Sequence, residues 1–145
     1  QFAQSSVVHI AAHASMEPSA PLFSAIRLGE SDAYDGRFEL REVFELGMNT
    51  SVDLVVLSAC ETALGNGTDF SLLTYSFAAI GVDRTVASLW NVNDESTAYL
   101  MEEYMRLRHD EHLPDAIALQ RAMLYTRATH PEPELWAAFV LTGLP

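Results

Sequence analysis

One cysteine and five histidines supply the thiol and imidazole chemistry of this 145-residue chain, and two of them stand in a useful relation. His13 precedes the lone Cys60 by 47 positions. A thiol attacks a carbonyl well only as thiolate, and a neighbouring imidazole promotes that ionisation and then protonates the leaving group. Each residue also follows a short apolar run: 6–12 (SVVHIAA) before His13, and 53–58 (DLVVLS) before Cys60. Two such runs side by side in a parallel sheet would deliver both side chains to one edge, where α/β sheets gather functional groups. Spacing alone leaves two readings open, a dyad or a small buried thiol with an unrelated loop histidine.

Other constellations are weaker. His9 and His13 are four apart, but on a strand they would lie about 13 Å from each other, too far for one metal ion. With a single cysteine and no HExxH or CxxC pattern, no metal site is expected. His9 reads as a hydrogen-bonded core residue, and His109, His112 and His130 as loop or helix-end residues. Gly65-Asn66-Gly67 precedes a helical pattern, yet a P-loop would need Lys-Ser/Thr, and a dinucleotide fingerprint would need glycine near position 70, where Phe70 stands. No cofactor is implied.

Composition narrows the partners. Asp and Glu total 20 against eight basic residues, all arginine, for a net charge of −12. Such a surface repels phosphate backbones, so a nucleic-acid partner is not expected. No run approaches the roughly 20 apolar residues of a membrane span, and the amino terminus lacks a secretory pattern. One cysteine cannot form an internal disulfide, which fits a reducing, cytoplasmic setting. The chain begins at Gln1 and soon enters an apolar stretch, so it reads as a fragment whose natural start lies upstream.

The elements that must position the pair follow from periodicity. Residues 6–12, 53–58, 85–90 and 136–141 read as strands, and 22–28 as an edge strand. The four consecutive apolar residues of LVVL suggest a strand buried on both faces. A short helix is expected at 40–47 with Val43, Phe44 and Leu46 inward. A second carries Phe70, Leu73, Phe77 and Ile80 inward and ends at Gly81. A third covers 94–107 with Ala98, Met101, Tyr104 and Met105 inward. A fourth runs from Pro114 in its first turn to about Thr129, with Ile117 and Leu124 inward. Alternating strands and helices predict an α/β fold with a mostly parallel sheet.

At these residues the sequence resembles the CHAT domain family, caspase-like proteases often joined to tetratricopeptide repeats and distantly similar to separase. HIAAHA (9–14), LVVLSACETALGNG (54–67) and VASLWNVNDEST (86–97) carry the likeness, supported by AIALQRAM (116–123) and HPEPELWAAFVLTG (130–143). The His-to-Cys separation is also close to the roughly 50 residues of caspases. The resemblance implies a caspase-like three-layer sandwich whose first strands are absent, this chain being the carboxyl-terminal part of one domain. It implies His13 as general base and acid and Cys60 as nucleophile, with backbone N–H groups of Ala14 and Cys60 holding the oxyanion. The family usually has glycine where Ala14 stands, and alanine disfavours positive φ. Asp94 resembles the separase aspartate that receives a basic P1 side chain, although it also stands where a helix cap belongs. Trp90 is expected to wall the same pocket or to belong to the core, and Ser58 to line it or to finish its strand. The implied partners are a protein or peptide substrate and a repeat region in cis or in trans, in a setting of bacterial defence or regulated cell death.

Two rivals come from other classes. One is a non-catalytic interaction module that keeps the fold. The other is a small-ligand α/β domain, which would need the phosphate loop that is missing here.

Overall fold

The computed structural model describes residues 6–15, 17–47, 51–58 and 68–143, the side chains of 68–71 excepted. Strand β5 (Leu54–Leu57) lies at the centre, and none of its side chains reaches solvent. Leu54 and Val56 enter one apolar cluster, while Val55 and Leu57 enter another on the opposite face. Burying each such side chain is worth about 1.5–3 kcal/mol, so this strand demands cover on both sides. Helices α1 (Leu40–Glu45) and α2 (Thr68–Ala79) supply it on one face, through Leu40, Val43, Leu73 and Phe77, with Ile80 just after α2. Helices α3 (Asp94–His109) and α4 (Asp115–Thr129) supply it on the other, through Leu100, Tyr104, Leu107, Ala118 and Ala122. Gly81, at φ +93°, lets the chain turn sharply after α2.

Strand β1 (Val7–Ile10) pairs in parallel with β5, from Val7 opposite Leu54 to Ile10 opposite Leu57. Strand β6 (Arg84–Ser88) pairs in parallel with the other edge of β5. Strand β7 (Phe139–Gly143) closes the sheet antiparallel to β6, giving the order β1-β5-β6-β7. A separate antiparallel sheet is made of β2 (Ala14–Ser15), β3 (Ala25–Arg27) and β4 (Arg37–Glu39). The protein is therefore an α/β fold with helices packed on a mixed sheet beside an antiparallel one.

Of the described strands of the main sheet, β1, β5 and β6 run parallel and β7 antiparallel, and one expected strand is shorter than its sequence pattern, each for a physical reason. Two helices, not one, separate β6 from β7. A helical hairpin returns the chain to the end of the sheet from which β6 departed, so β7 must run back. Residues 22–28 do not form one strand, because Pro21 opens a 3₁₀ turn over Pro21–Phe23 that leaves only Ala25–Arg27 to pair. Inward faces shift as well. Phe44 and Leu46 are exposed while Leu40 and Val43 are buried, and Ile117 and Leu124 are exposed while Ala118, Leu119 and Ala122 are buried. Ala118, Leu119 and Ala122 make the face of α4 that joins the α3 cluster. Among the described residues no helix is long and apolar enough to cross a membrane.

At the end of the sheet where β6 begins, Asp115 is buried between two arginines. Arg84 Nη1 and Arg108 Nε lie 2.8 and 2.7 Å from its carboxylate, and the Tyr104 hydroxyl donates to it at 3.0 Å. Burial, then the Asp115 charge, pushes the Tyr104 phenol well above its ordinary pKa. This cluster joins β6, α3 and α4.

The β6–β7 register depends on a glycine. Gly143 has φ +121°, and a Cβ there would lie 2.0 Å from the Asp83 carbonyl oxygen. Gly143→Ala is expected to cost on the order of 2–3 kcal/mol in urea unfolding. An unchanged midpoint would show that the strand end does not need this approach.

Candidate functional site

Strands β1, β5 and β6 run in the same direction, so the residues that leave them emerge at one edge of the sheet. A cleft of about 570 Å³ opens there, lined by His9, His13, Ser58, Asp94, Met101 and Glu102 among others. One wall is the exit of β1 and β5. The opposite wall is a stripe of α3, where Asp94, Ala98, Met101 and Met105 follow the i, i+4, i+7, i+11 spacing of one helical face. Ala98 is thus a wall residue and not the core residue that periodicity suggested; it is exposed, whereas Leu100, Tyr104 and Leu107 are buried.

His13 is exposed between β1 and β2. Its carbonyl accepts a 2.7 Å hydrogen bond from the Arg27 N–H. Ala14 stands opposite Ile26 in the next register position. Antiparallel ladders alternate bonded and non-bonded pairs, so the 13/27 pair is bonded and the Ala14 N–H is directed away from β3. Ala14 is buried and its φ is not positive; among the described non-glycine residues only His112 has φ above zero. Alanine therefore meets no backbone penalty where the family has glycine.

Ser58 directly follows β5 and is buried in the cleft wall. Its N–H donates to the Ile10 carbonyl at 3.1 Å, and its Oγ lies 2.8 Å from His9 Nε2. His9 is not a core residue, since it is exposed on strand β1, but its ring is partly enclosed. That enclosure lowers its pKa below the ordinary imidazole value by disfavouring the charged form. Sequence reasoning gave His9 a hydrogen bond but no place in the site. Its polar interruption of an otherwise apolar strand was the available signal. Glu102 was also missed, because a glutamate on a helix surface carries none.

Asp94 is the first residue of α3 and not its cap. Asn93 holds that position, with its Oδ1 accepting from the Ser96 N–H at 3.1 Å. The Asp94 side chain lines the cleft instead. Trp90 is not among the residues that line it; its indole N–H donates to the Glu134 carbonyl at 3.1 Å. Cys60 and the Gly65-Asn66-Gly67 stretch lie outside the described residues. Among the described residues no group of three or more His, Cys, Asp or Glu side chains is arranged to hold a metal.

The division of labour between residues 93 and 94 is measurable. Asn93→Ala is expected to lower stability by about 1 kcal/mol through loss of the cap. Asp94→Asn, which removes the negative charge beside the helix N-terminus, is expected to cost about 0.3–1 kcal/mol. Thermal unfolding of the two variants checks the order, and a larger loss at Asp94 would return the capping role to it.

The family model of the CHAT domain matches residues 1–144 of this chain. The chain belongs to the CHAT domain family, as its HIAAHA, SACET and SLWNVND stretches implied. No curated protein matches it.

Proposed function

We propose that this chain forms the catalytic part of a cysteine endopeptidase that cuts after a basic residue. The carrying observation is a cleft lined by His13, Ser58 and Asp94 at the exits of two adjacent parallel strands. Cys60 follows Ser58 by two residues in the chain.

In this reading His13 takes the thiol proton and the Cys60 thiolate adds to the scissile carbonyl carbon. The oxyanion is held by the N–H groups of Ala14 and Cys60, the former directed away from its own sheet. The C–N bond then breaks as His13 returns its proton to the leaving amine, leaving an acyl-enzyme. Water, deprotonated by His13, adds to the thioester and releases the acid and the thiolate. Asp94 receives the substrate Arg or Lys through a charge-assisted hydrogen bond. Trp90 steadies the segment between β6 and Asp94 through its bond to Glu134.

Among the described residues β1 pairs only with β5, which supports a caspase-like sandwich with further strands beyond that edge. This chain is then the carboxyl-terminal part of the domain, working in the cytoplasm under a tetratricopeptide-repeat region that controls access to the cleft.

Cys60 is the only cysteine, so its alkylation reports the dyad without any known substrate. The rate is expected to titrate well below the free thiol value of about 8.5, and to lose that behaviour in His13→Ala. Ordinary titration in both proteins would favour the non-catalytic interaction module.

Asp94→Asn is expected to lower kcat/KM for peptides with Arg or Lys at P1 by about 10- to 100-fold, the worth of a hydrogen bond to a charged group. Peptides with a neutral P1 residue are expected to change little. Equal losses on both kinds of peptide would remove Asp94 from the specificity pocket.

A further inference from the structure

Strand β1 offers three apolar residues, Val7, Val8 and Ile10, and one polar exception. Val8 and Ile10 pack against the α1/α2 cluster and Val7 against the α3/α4 cluster. By alternation His9 shares the Val7 face, where a fourth apolar side chain would continue the strand at no polar cost. Its ring reaches instead to the residue just beyond the last β1–β5 pair, meeting Ser58 Oγ at 2.8 Å. The Ser58 N–H is meanwhile bound to the carbonyl of Ile10, the next residue of β1. Two successive β1 residues thus grip Ser58, one by its backbone and one by its side chain.

We propose that His9 is a positioning residue of the site, holding the Ser58 hydroxyl and thereby fixing the point from which the chain leaves β5 toward Cys60. The inference rests on the protease reading above and adds to it a second imidazole with a different task. A nucleophile displaced by 1 Å can lose about 100-fold in rate, and loops hold geometry less well than strands do. The His9–Ser58 bond extends the β1–β5 clamp one residue past the last pair, two positions before Cys60 in the chain.

The groups facing His9 fit this role. His13 lies beyond the end of β1, Asp94 and Glu102 line the α3 wall, and β5 contributes only apolar residues. Enclosure of the ring disfavours its charged form and lowers the His9 pKa. The neutral ring can accept from the Ser58 hydroxyl or donate to it, whereas the protonated ring can only donate. Because the folded pKa is lowered, the neutral form dominates above about 6.5, and its contribution is lost as pH falls below that value toward the folded pKa.

The test is Cys60 alkylation by iodoacetamide in full-length protein, for wild type, His9→Ala, Ser58→Ala, the double variant, His9→Gln and His13→Ala. Urea unfolding accompanies each to establish folding. Each single truncation is expected to slow alkylation at pH 7 about tenfold, and the double variant no further, as for two groups acting through one another. His9→Gln, which can still bond to Ser58, is expected to restore most of the rate and to remove the His9 inflection on the acid side of the profile. Wild-type rates in His9→Ala and Ser58→Ala, or losses that simply add, would overturn the positioning role. A fall in His13→Ala alongside that result would leave the protease reading standing. An unchanged rate in His13→Ala would remove the protease reading and this inference with it.

Discussion

Four consecutive apolar residues, Leu54–Leu57, have no side that tolerates water, and much of the architecture answers that demand. A strand buried on both faces needs cover above and below, as helices give to parallel sheets. Strands β1 and β6 fill the edges, α1 with α2 covers one face, and α3 with α4 covers the other. The connections between them bring the chain back so that β1, β5 and β6 start at the same end. The exits of β1 and β5 are adjacent for that reason, and the cleft forms where they open.

Helix α3 serves both the core and the cleft. Leu100, Tyr104 and Leu107 belong to the core, while Asp94, Ala98 and Met105 face the cleft. A wall of this kind holds its shape only if the helix cannot rotate. The Asn93 cap fixes one end, and the buried Asp115 cluster holds the other through Tyr104 and Arg108. A buried carboxylate between two arginines is costly to desolvate and costly to disturb once formed. Its placement at the far end of the sheet keeps that polar network away from the cleft chemistry.

Much of the fold was legible in particular residues. The DLVVLS run announced a two-faced strand, Gly81 marked a helix end, and the charged and apolar alternation after Asp94 gave α3. What failed had local physical causes. Helix α1 is only six residues long, too short for periodicity to separate Phe44 from Val43. In α4 the buried face combines Leu119 with Ala118, Ala122, Thr126 and Asp115, so hydrophobicity pointed to Ile117 and Leu124, which are exposed. Pro21 converted half of an expected strand into a 3₁₀ turn, and the sheet it joins depends on pairings between residues ten or more apart.

The sequence alone determined the family, the candidate pair His13 and Cys60, and the order of the main helices and strands. Those follow from residue types and periods that act locally or as motifs along the chain. Only the tertiary structure decided that β7 runs antiparallel, that Asn93 and not Asp94 caps α3, and that His9 reaches Ser58. Each of these turns on direction or distance across the fold. A helical hairpin reverses a strand without changing the local character of that strand, and a cap is defined by which oxygen reaches which N–H. An imidazole 49 positions from a hydroxyl meets it only because β1 and β5 lie in one register.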